Sequence, residues 1–161
     1  MTRDFAHSWR PHNSIRVKAL GLHWRENRLL AARVFDDSGK LKGVRPLGGT
    51  IEFGETAQNA LLREFHEELG ITISIANPPI FFENLYEHEG QTGHEYLVIF
   101  DVTFPKDCFG KQEEITFSED NGTLCSAAWF SLEELDLQDG PKLFPEGLKD
   151  RLLQGRASLT G

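Results

Sequence analysis

With 161 residues, 17 basic against 25 acidic side chains and a net charge of −8, the chain has the size of one domain with a real core. Its charge disfavours broad contact with nucleic-acid backbones or anionic membranes, and no apolar run approaches the length of a membrane span. The opening MTRDFAHSWRPHNS lacks a signal-peptide core, and Cys108 and Cys125 stand alone without metal-ligand spacing, so reduced thiols and a cytoplasmic location are expected.

Residues 1–14 carry Arg, His, Trp and Pro without period and read as an irregular arm, with Trp9 packed on the single domain that follows at 15–161 or, as the alternative, on a partner. IRVKALGLHW, from Ile15, alternates with Ile15, Val17 and Ala19 on one face and predicts a strand; RLLAARVF at 28–35 predicts the next. Asp36-Asp37-Ser38-Gly39 is a turn by composition and leads to a short extended piece at 40–45. Further on, ITISI at 71–75 alternates as a strand that Asn77-Pro78-Pro79 breaks. Strands are predicted at 80–86 and 96–104, joined by the polar connection 87–95, whose His88 and His94 read as exposed. LVIFDVTF is nearly continuous apolar sequence, as expected of a central strand buried on both faces. Residues 105–120 read as a loop with a short strand, and 127–130 as the last strand. Ser131-Leu132-Glu133-Glu134 fits the capping box of a short helix, and a final helix is predicted over 145–153 with Leu148 and Leu152 toward the core.

The densest pattern is GTIEFGETAQNALLREFHEELGI, from Gly49 to Ile71. Thr56 is an N-cap and Gly70 a left-handed stop; between them Ala57, Leu61, Phe65 and Leu69 form an apolar stripe at 100° per residue. Glu64, Glu67 and Glu68 project from an adjoining face at i, i+3 and i+4, where like charges destabilise a helix by about 0.2–0.5 kcal/mol per pair. Glu67 and Glu68 also lie in the last turn, where the helix dipole disfavours negative charge. A bound cation reverses both penalties, and hard divalent ions such as Mg2+ take oxygen ligands and bridge carboxylates to phosphates. The plain alternative is a solvated acidic face on an ordinary amphipathic helix.

The spacing Gly49, Glu55, Arg63, Glu64, Glu67, Glu68, Gly70, closed by Ile71, resembles the signature of the Nudix (MutT-like) hydrolase family, with Phe65 standing where the family has Ile, Leu or Val. Seven such residue types would coincide by chance about once in 10^8 to 10^9 starts. The resemblance implies an α/β fold, an α/β/α sandwich with a mixed sheet in which the box forms a loop–helix–loop. It implies a Glu55–Arg63 pair that fixes the loop against the helix, and a metal held by Glu64, Glu67, Glu68 and the Gly48 carbonyl. The family hydrolyses a nucleoside diphosphate linked to another moiety, using water and a divalent metal. Mg2+ is the expected cofactor, with Mn2+ as substitute, and a small nucleotide diphosphate compound the expected partner.

Two carboxylates compete as general base: Glu64, which follows the orienting Arg63, and a loop acid among Glu113, Glu114, Glu119 and Asp120, of which Glu119 is best placed. Arg45, just before the glycines, is read either as a phosphate contact or as a surface arginine; Tyr86 either stacks on a base or belongs to the core. Two other readings compete with the enzyme. A nucleotide sensor on the same fold typically loses box carboxylates, all of which are kept here; an acidic interaction domain would bind no Mg2+. Oligomeric state is left open.

Overall fold

The computed structural model describes residues 9–119 and 121–160, with side chains described to 155. Alternating sequence forms β1 (Ile15–Leu22), followed by the short β2 (Trp24–Arg25) and β3 (Arg28–Phe35). The Asp36 carboxylate then accepts the N–H groups of Ser38 and Lys40, each at 2.9 Å, and closes the turn into β4 (Leu41–Arg45). Next come β5 (Leu47–Thr50), helix α1 (Ala57–Leu69) and the long hairpin of β6 (Ser74–His88) and β7 (Gln91–Thr103). The chain ends through β8 (Glu114–Ser118), β9 (Leu124–Ser131), a 3-10 turn at Leu132–Glu134, β10 (Lys142–Leu143) and α2 (Leu148–Thr160).

Among the described residues the strands form two sheets, ordered β5-β1-β7-β6 and β10-β4-β3-β9-β8, with β2 beside β3. Each is mixed: β1–β7 and β4–β10 run parallel and the other pairs antiparallel. Alternate residues feed two cores. Ala19, Leu30, Phe100 and Trp129 join Leu61 and Phe65 of α1, while Leu20, Leu29 and Ile99 join Leu148 of α2. The result is the expected α/β/α sandwich, with the strands divided between two sheets. No helix among the described residues is long and apolar enough to cross a membrane.

Helix α1 keeps the limits read from its sequence: the Thr56 side chain accepts the Asn59 N–H, and Gly70 at φ 69° ends it. Burying Leu61 and Phe65 contributes roughly 1.5–3 kcal/mol each. The aromatic at 65 has a structural reason, because a Cβ on Gly21 would lie 2.9 Å from its ring. The ring fills the space a side chain on β1 would take, and meets Phe104 edge-on at 5.7 Å.

Two expectations are corrected, and two further features go beyond the sequence reading. Pro78 and Pro79 do not end a strand: β6 runs through them, its pairing with β7 skipping from Ala76 to Ile80 as a bulge. Proline is tolerated there because β6 is an edge strand, where missing N–H groups cost the sheet nothing. Leu47–Thr50, to which the sequence reading assigns no element, is a strand held by pairing with β1. The last helix starts at Leu148, after Pro145 has accepted the Leu148 N–H in a preceding turn. Finally, Ile15 and Val17 share a parity with buried Ala19 but are exposed, so only the far end of that β1 face is core.

Candidate active site

Helix α1 packs against β5, and Glu64 is buried there with 6% of its surface exposed. The absence of a side chain at Gly49 makes this possible: a Cβ at Gly49 would lie 2.3 Å from the Glu64 carboxyl carbon. A Cβ at Gly48 would meet the Ala19 carbonyl oxygen at 2.0 Å. The two glycines thus serve different neighbours, Gly48 the sheet and Gly49 the carboxylate.

Arg63 ties the loop to the helix. Its Nε and Nη2 donate to Glu55 at 2.6 and 2.8 Å, and Nη2 also reaches the Thr50 carbonyl at 3.1 Å. Nη1 donates to Glu64 at 2.9 Å and to Glu67 at 3.3 Å. The Glu55 carboxylate accepts the Glu52 N–H as well, at 3.0 Å. The hydrogen bond from Arg63, then that from Glu52, holds the Glu55 carboxyl down at about 2.

Glu68 is half-buried one turn beyond Glu64. Burial first, then the charge of Glu64, pushes its carboxyl up to about 8, with Glu119 adding to the effect and Arg45 opposing it. Two carboxylates in hydrogen-bond contact, partly desolvated, cannot both ionise cheaply. Among the described residues no three His, Cys, Asp or Glu side chains converge as a metal-holding group, and Glu67 is engaged by Arg63. Glu64 and Glu68 beside the glycine main chain nevertheless form an oxygen-only, excess-negative donor set, which suits a hard divalent cation.

These groups open onto a cavity of about 1180 Å³. Gly48, Gly49, Glu64, Glu68, Arg45, Glu119 and Tyr86 all line it, bringing together most of the residues singled out in the sequence. Glu55, Arg63 and Glu67 are not part of its lining. Glu119 reaches the site at the end of β8, its N–H donating to the Thr123 carbonyl at 2.9 Å in the turn to β9. Arg45 Nη2 donates to Glu119 at 2.7 Å, so Arg45 contacts an acid inside the cavity. Glu113 and Glu114 lie on the outside, paired with Arg28 and Arg33 at 3.3 Å each. Asp120 falls outside the described residues.

Tyr86 is half-buried and lies outside both core clusters. Its ring lies over Gly93 of the neighbouring strand, where a Cβ would be 2.2 Å from a ring carbon, and its edge reaches the cavity. Burial and the nearby Glu95 push its phenol up to about 12. His88 is buried, against expectation, with the Lys42 ammonium 3.0 Å from its Nδ1. His94 is half-buried and contacts Glu83 at 3.1 Å.

Sequence reasoning missed Arg16, Lys18, Asn84 and Glu95, which also line the cavity. Lys18 pairs with Glu95 at 2.5 Å, and Asn84 donates to Glu95 at 3.3 Å. The signal was present as the second phase of β1: Arg16 and Lys18 alternate with Ile15 and Val17, so one face of the strand carries cations.

A sequence profile for the NUDIX domain matches residues 15–149. The chain is 31% identical over 122 residues to a nucleoside triphosphatase, NudI, of Enterobacter sp. (strain 638), a match covering 71% of this chain and 82% of that one. Among solved structures, the E. coli ORF135 protein superposes with a TM-score of 0.60 at 22% identity, over 89% of this chain and 92% of that one. A MutT protein from Methanosarcina mazei Go1 gives 0.59 at 16% identity, over 91% and 96%.

Proposed function

We propose that this chain, which belongs to the Nudix hydrolase family, hydrolyses a nucleoside diphosphate linked to another moiety, with water attacking phosphorus and Mg2+ or Mn2+ bound. The observation that carries this reading is the Glu64–Glu68 pair, packed against Gly49 in a cavity that also presents Arg16, Lys18 and Arg45. The name of its NudI relative, a nucleoside triphosphatase, makes triphosphates the first substrates to try.

Glu64 and Glu68, with the Gly48 carbonyl and a Glu67 released from Arg63, are the groups to hold the ion. When bound, Mg2+ neutralises phosphate charge and lowers the pKa of a water toward neutrality. Arg63 and Glu55 are positioning residues: three of the four Arg63 donor contacts to carboxylates fix Glu55 and Glu64, and so fix the helix against the loop.

The proton has two candidate acceptors, and the local bonding favours one. Glu64 is committed to Arg63 and would also be committed to the ion when one is bound. Glu119 is held by Arg45 alone among the described side-chain ion pairs. Substrate phosphate entering the cavity competes for the Arg45 guanidinium, a planar fork suited to phosphate oxygens. Glu119 is then free to take the proton of the attacking water, while Tyr86 and the β1 cations orient the remainder of the substrate. The cytoplasm, where nucleotides are abundant, is the compartment this chemistry suits.

The test is release of mononucleotide from a panel of nucleoside triphosphates, dinucleoside polyphosphates, ADP-ribose, NADH and nucleotide sugars, each with and without Mg2+ or Mn2+. Metal-dependent release from one class is expected. No release from any of them with either metal would overturn the reading.

A further inference from the structure

The residues just ahead of β1 have no periodicity in the sequence, yet the structure clamps them at two points. The Arg10 guanidinium forks onto Asp37 in the β3–β4 turn, at 2.9 and 2.5 Å, and its Nη1 also donates to the Trp9 carbonyl at 2.9 Å. The Asp37 N–H in turn donates to Glu89, at 3.2 Å, in the turn between β6 and β7. Trp9 and Arg10 are therefore tied down where two hairpin tips meet.

Behind the Trp9 ring stands His88, with centroids 5.5 Å apart and planes tilted by 57°. His88 is buried, and an ammonium can only donate, so its Nδ1 accepts from Lys42 and the ring is held from behind. Trp9 itself keeps 38% of its surface exposed and lines the same cavity as Glu64, Glu68 and Glu119. It also lines a smaller adjoining recess of about 170 Å³ together with Arg16, Lys18 and Tyr86. A large indole fixed in place but left facing a ligand-sized cavity offers a π-face, while the nearby arginine and lysines supply charge for phosphate. A scissile diphosphate alone does not fill a cavity of this size; a whole nucleotide has the volume for it.

We infer that Trp9 is the stacking wall for the nucleobase of the substrate, so that the clamped arm sets affinity for base-bearing phosphates over base-free ones. This rests on the nucleotide reading above. Stacking of a base on an aromatic side chain is equivalent to about 5- to 150-fold in affinity. A group that binds ground and transition states alike changes KM and leaves kcat alone.

Two measurements test it. Tryptophan fluorescence is titrated with Mg2+ and methylene-bridged, hydrolysis-resistant nucleoside triphosphates, and separately with inorganic pyrophosphate as the base-free probe. Quenching by the nucleotides and none by pyrophosphate is expected in the parent protein, with quenching lost in Trp9→Phe, where Trp24 and Trp129 remain as background. In steady-state assays Trp9→Ala raises KM about 5- to 150-fold at unchanged kcat, more for purines than for pyrimidines, with Trp9→Phe between. Asp37→Asn, which loosens the clamp without touching the ring, raises KM by a smaller factor. Equal quenching by pyrophosphate, no quenching by nucleotides, or a fall in kcat at constant KM would each overturn the inference. Because the titration needs no turnover, a protein that binds nucleotide on Trp9 but hydrolyses none overturns the proposed reaction and leaves this subsite standing.

Discussion

Gly49→Ala separates the carboxylate from the fold. Gly49 has ordinary backbone torsions, so alanine is acceptable to β5, but its Cβ would lie 2.3, 2.5 and 2.6 Å from the three atoms of the Glu64 carboxyl group. Ordinary contact begins near 3.4 Å, so the carboxylate must retreat by about 1 Å, and it has few directions in which to go because Arg63 and the α1–β5 packing enclose it. A displacement of about 1 Å at a reacting centre costs roughly 100-fold in rate. Loss of a well-oriented ligand oxygen also raises the Mg2+ concentration needed for half-activity, by about 10-fold or more. The assay is the initial rate of nucleoside triphosphate hydrolysis across a Mg2+ series, with a thermal melt beside it. The variant should melt near the parent and turn over about two orders of magnitude more slowly. The double variant Gly49→Ala/Glu64→Ala, in which the clash is gone, should be no slower than Glu64→Ala alone. Gly48→Ala is the contrast: its Cβ meets the Ala19 carbonyl oxygen, main chain that cannot swing away, so it costs about 1–3 kcal/mol or more of stability. A folded Gly49→Ala with parental rate and Mg2+ dependence would refute the assignment of Glu64 to the reacting centre.

Glu119→Gln should lower kcat by about 100- to 10,000-fold while leaving Mg2+ half-saturation unchanged, as removal of a general base does; a parental kcat would return the proton to Glu64. Glu68→Gln replaces a carboxyl that ionises only at a cost beside Glu64 and should keep or slightly raise the melting temperature while turnover falls by orders of magnitude, and Glu67→Gln should behave similarly with a smaller loss; parental rates in both would remove the metal assignment. His23 stacks on Phe104 with centroids 3.7 Å apart, and burial holds its imidazole down at about 4 from an ordinary 6.5. Between those two values the unfolded chain binds a proton that the folded one refuses, so stability falls as pH drops from 6.5 to 4, by at most about 3 kcal/mol and less in proportion to the ring's partial exposure. Urea melts at pH 7 and pH 4.5 should show this loss in the parent and a smaller one in His23→Phe; equal losses in the two would locate the acid sensitivity elsewhere.

The parts legible in the sequence were those whose cause is local. Thr56 and Gly70 bracket α1 through capping and a left-handed stop, each acting within a few residues, and the stripe through Leu61 and Phe65 is set by helical period alone. What escaped was decided by partners far along the chain. The sequence Leu-Gly-Gly-Thr has poor strand propensity and becomes β5 only because β1 lies alongside it. Pro78 and Pro79 break an interior strand but not an edge, and no local signal says that β6 is an edge. Arg45 and Glu119 stand 74 residues apart, and the site they share exists only once the β8–β9 turn is folded against the end of β4.

The same distinction applies to charge. A net −8 argues against binding an extended polyanion, yet Arg16, Lys18, Arg33, Lys42, Arg45 and Lys142 all line one cavity. Net charge sets the far field, which salt screens within about 8–10 Å; a ligand inside the cavity feels its lining at closer range and in a lower dielectric. Several of those cations are balanced by acids in their resting state, Lys18 by Glu95, Arg45 by Glu119 and Arg33 by Glu114. Lys42 instead donates to the neutral-leaning His88, so the Trp9 end of the cavity holds a cation with no carboxylate beside it among the described ion pairs. The same lining carries the acids Glu52, Glu64, Glu68, Glu87, Glu95, Glu119 and Glu146, so an anion entering it meets both signs of charge, and a divalent cation would offset the acids. The acidic exterior repels longer polyanions that carry the same phosphate chemistry.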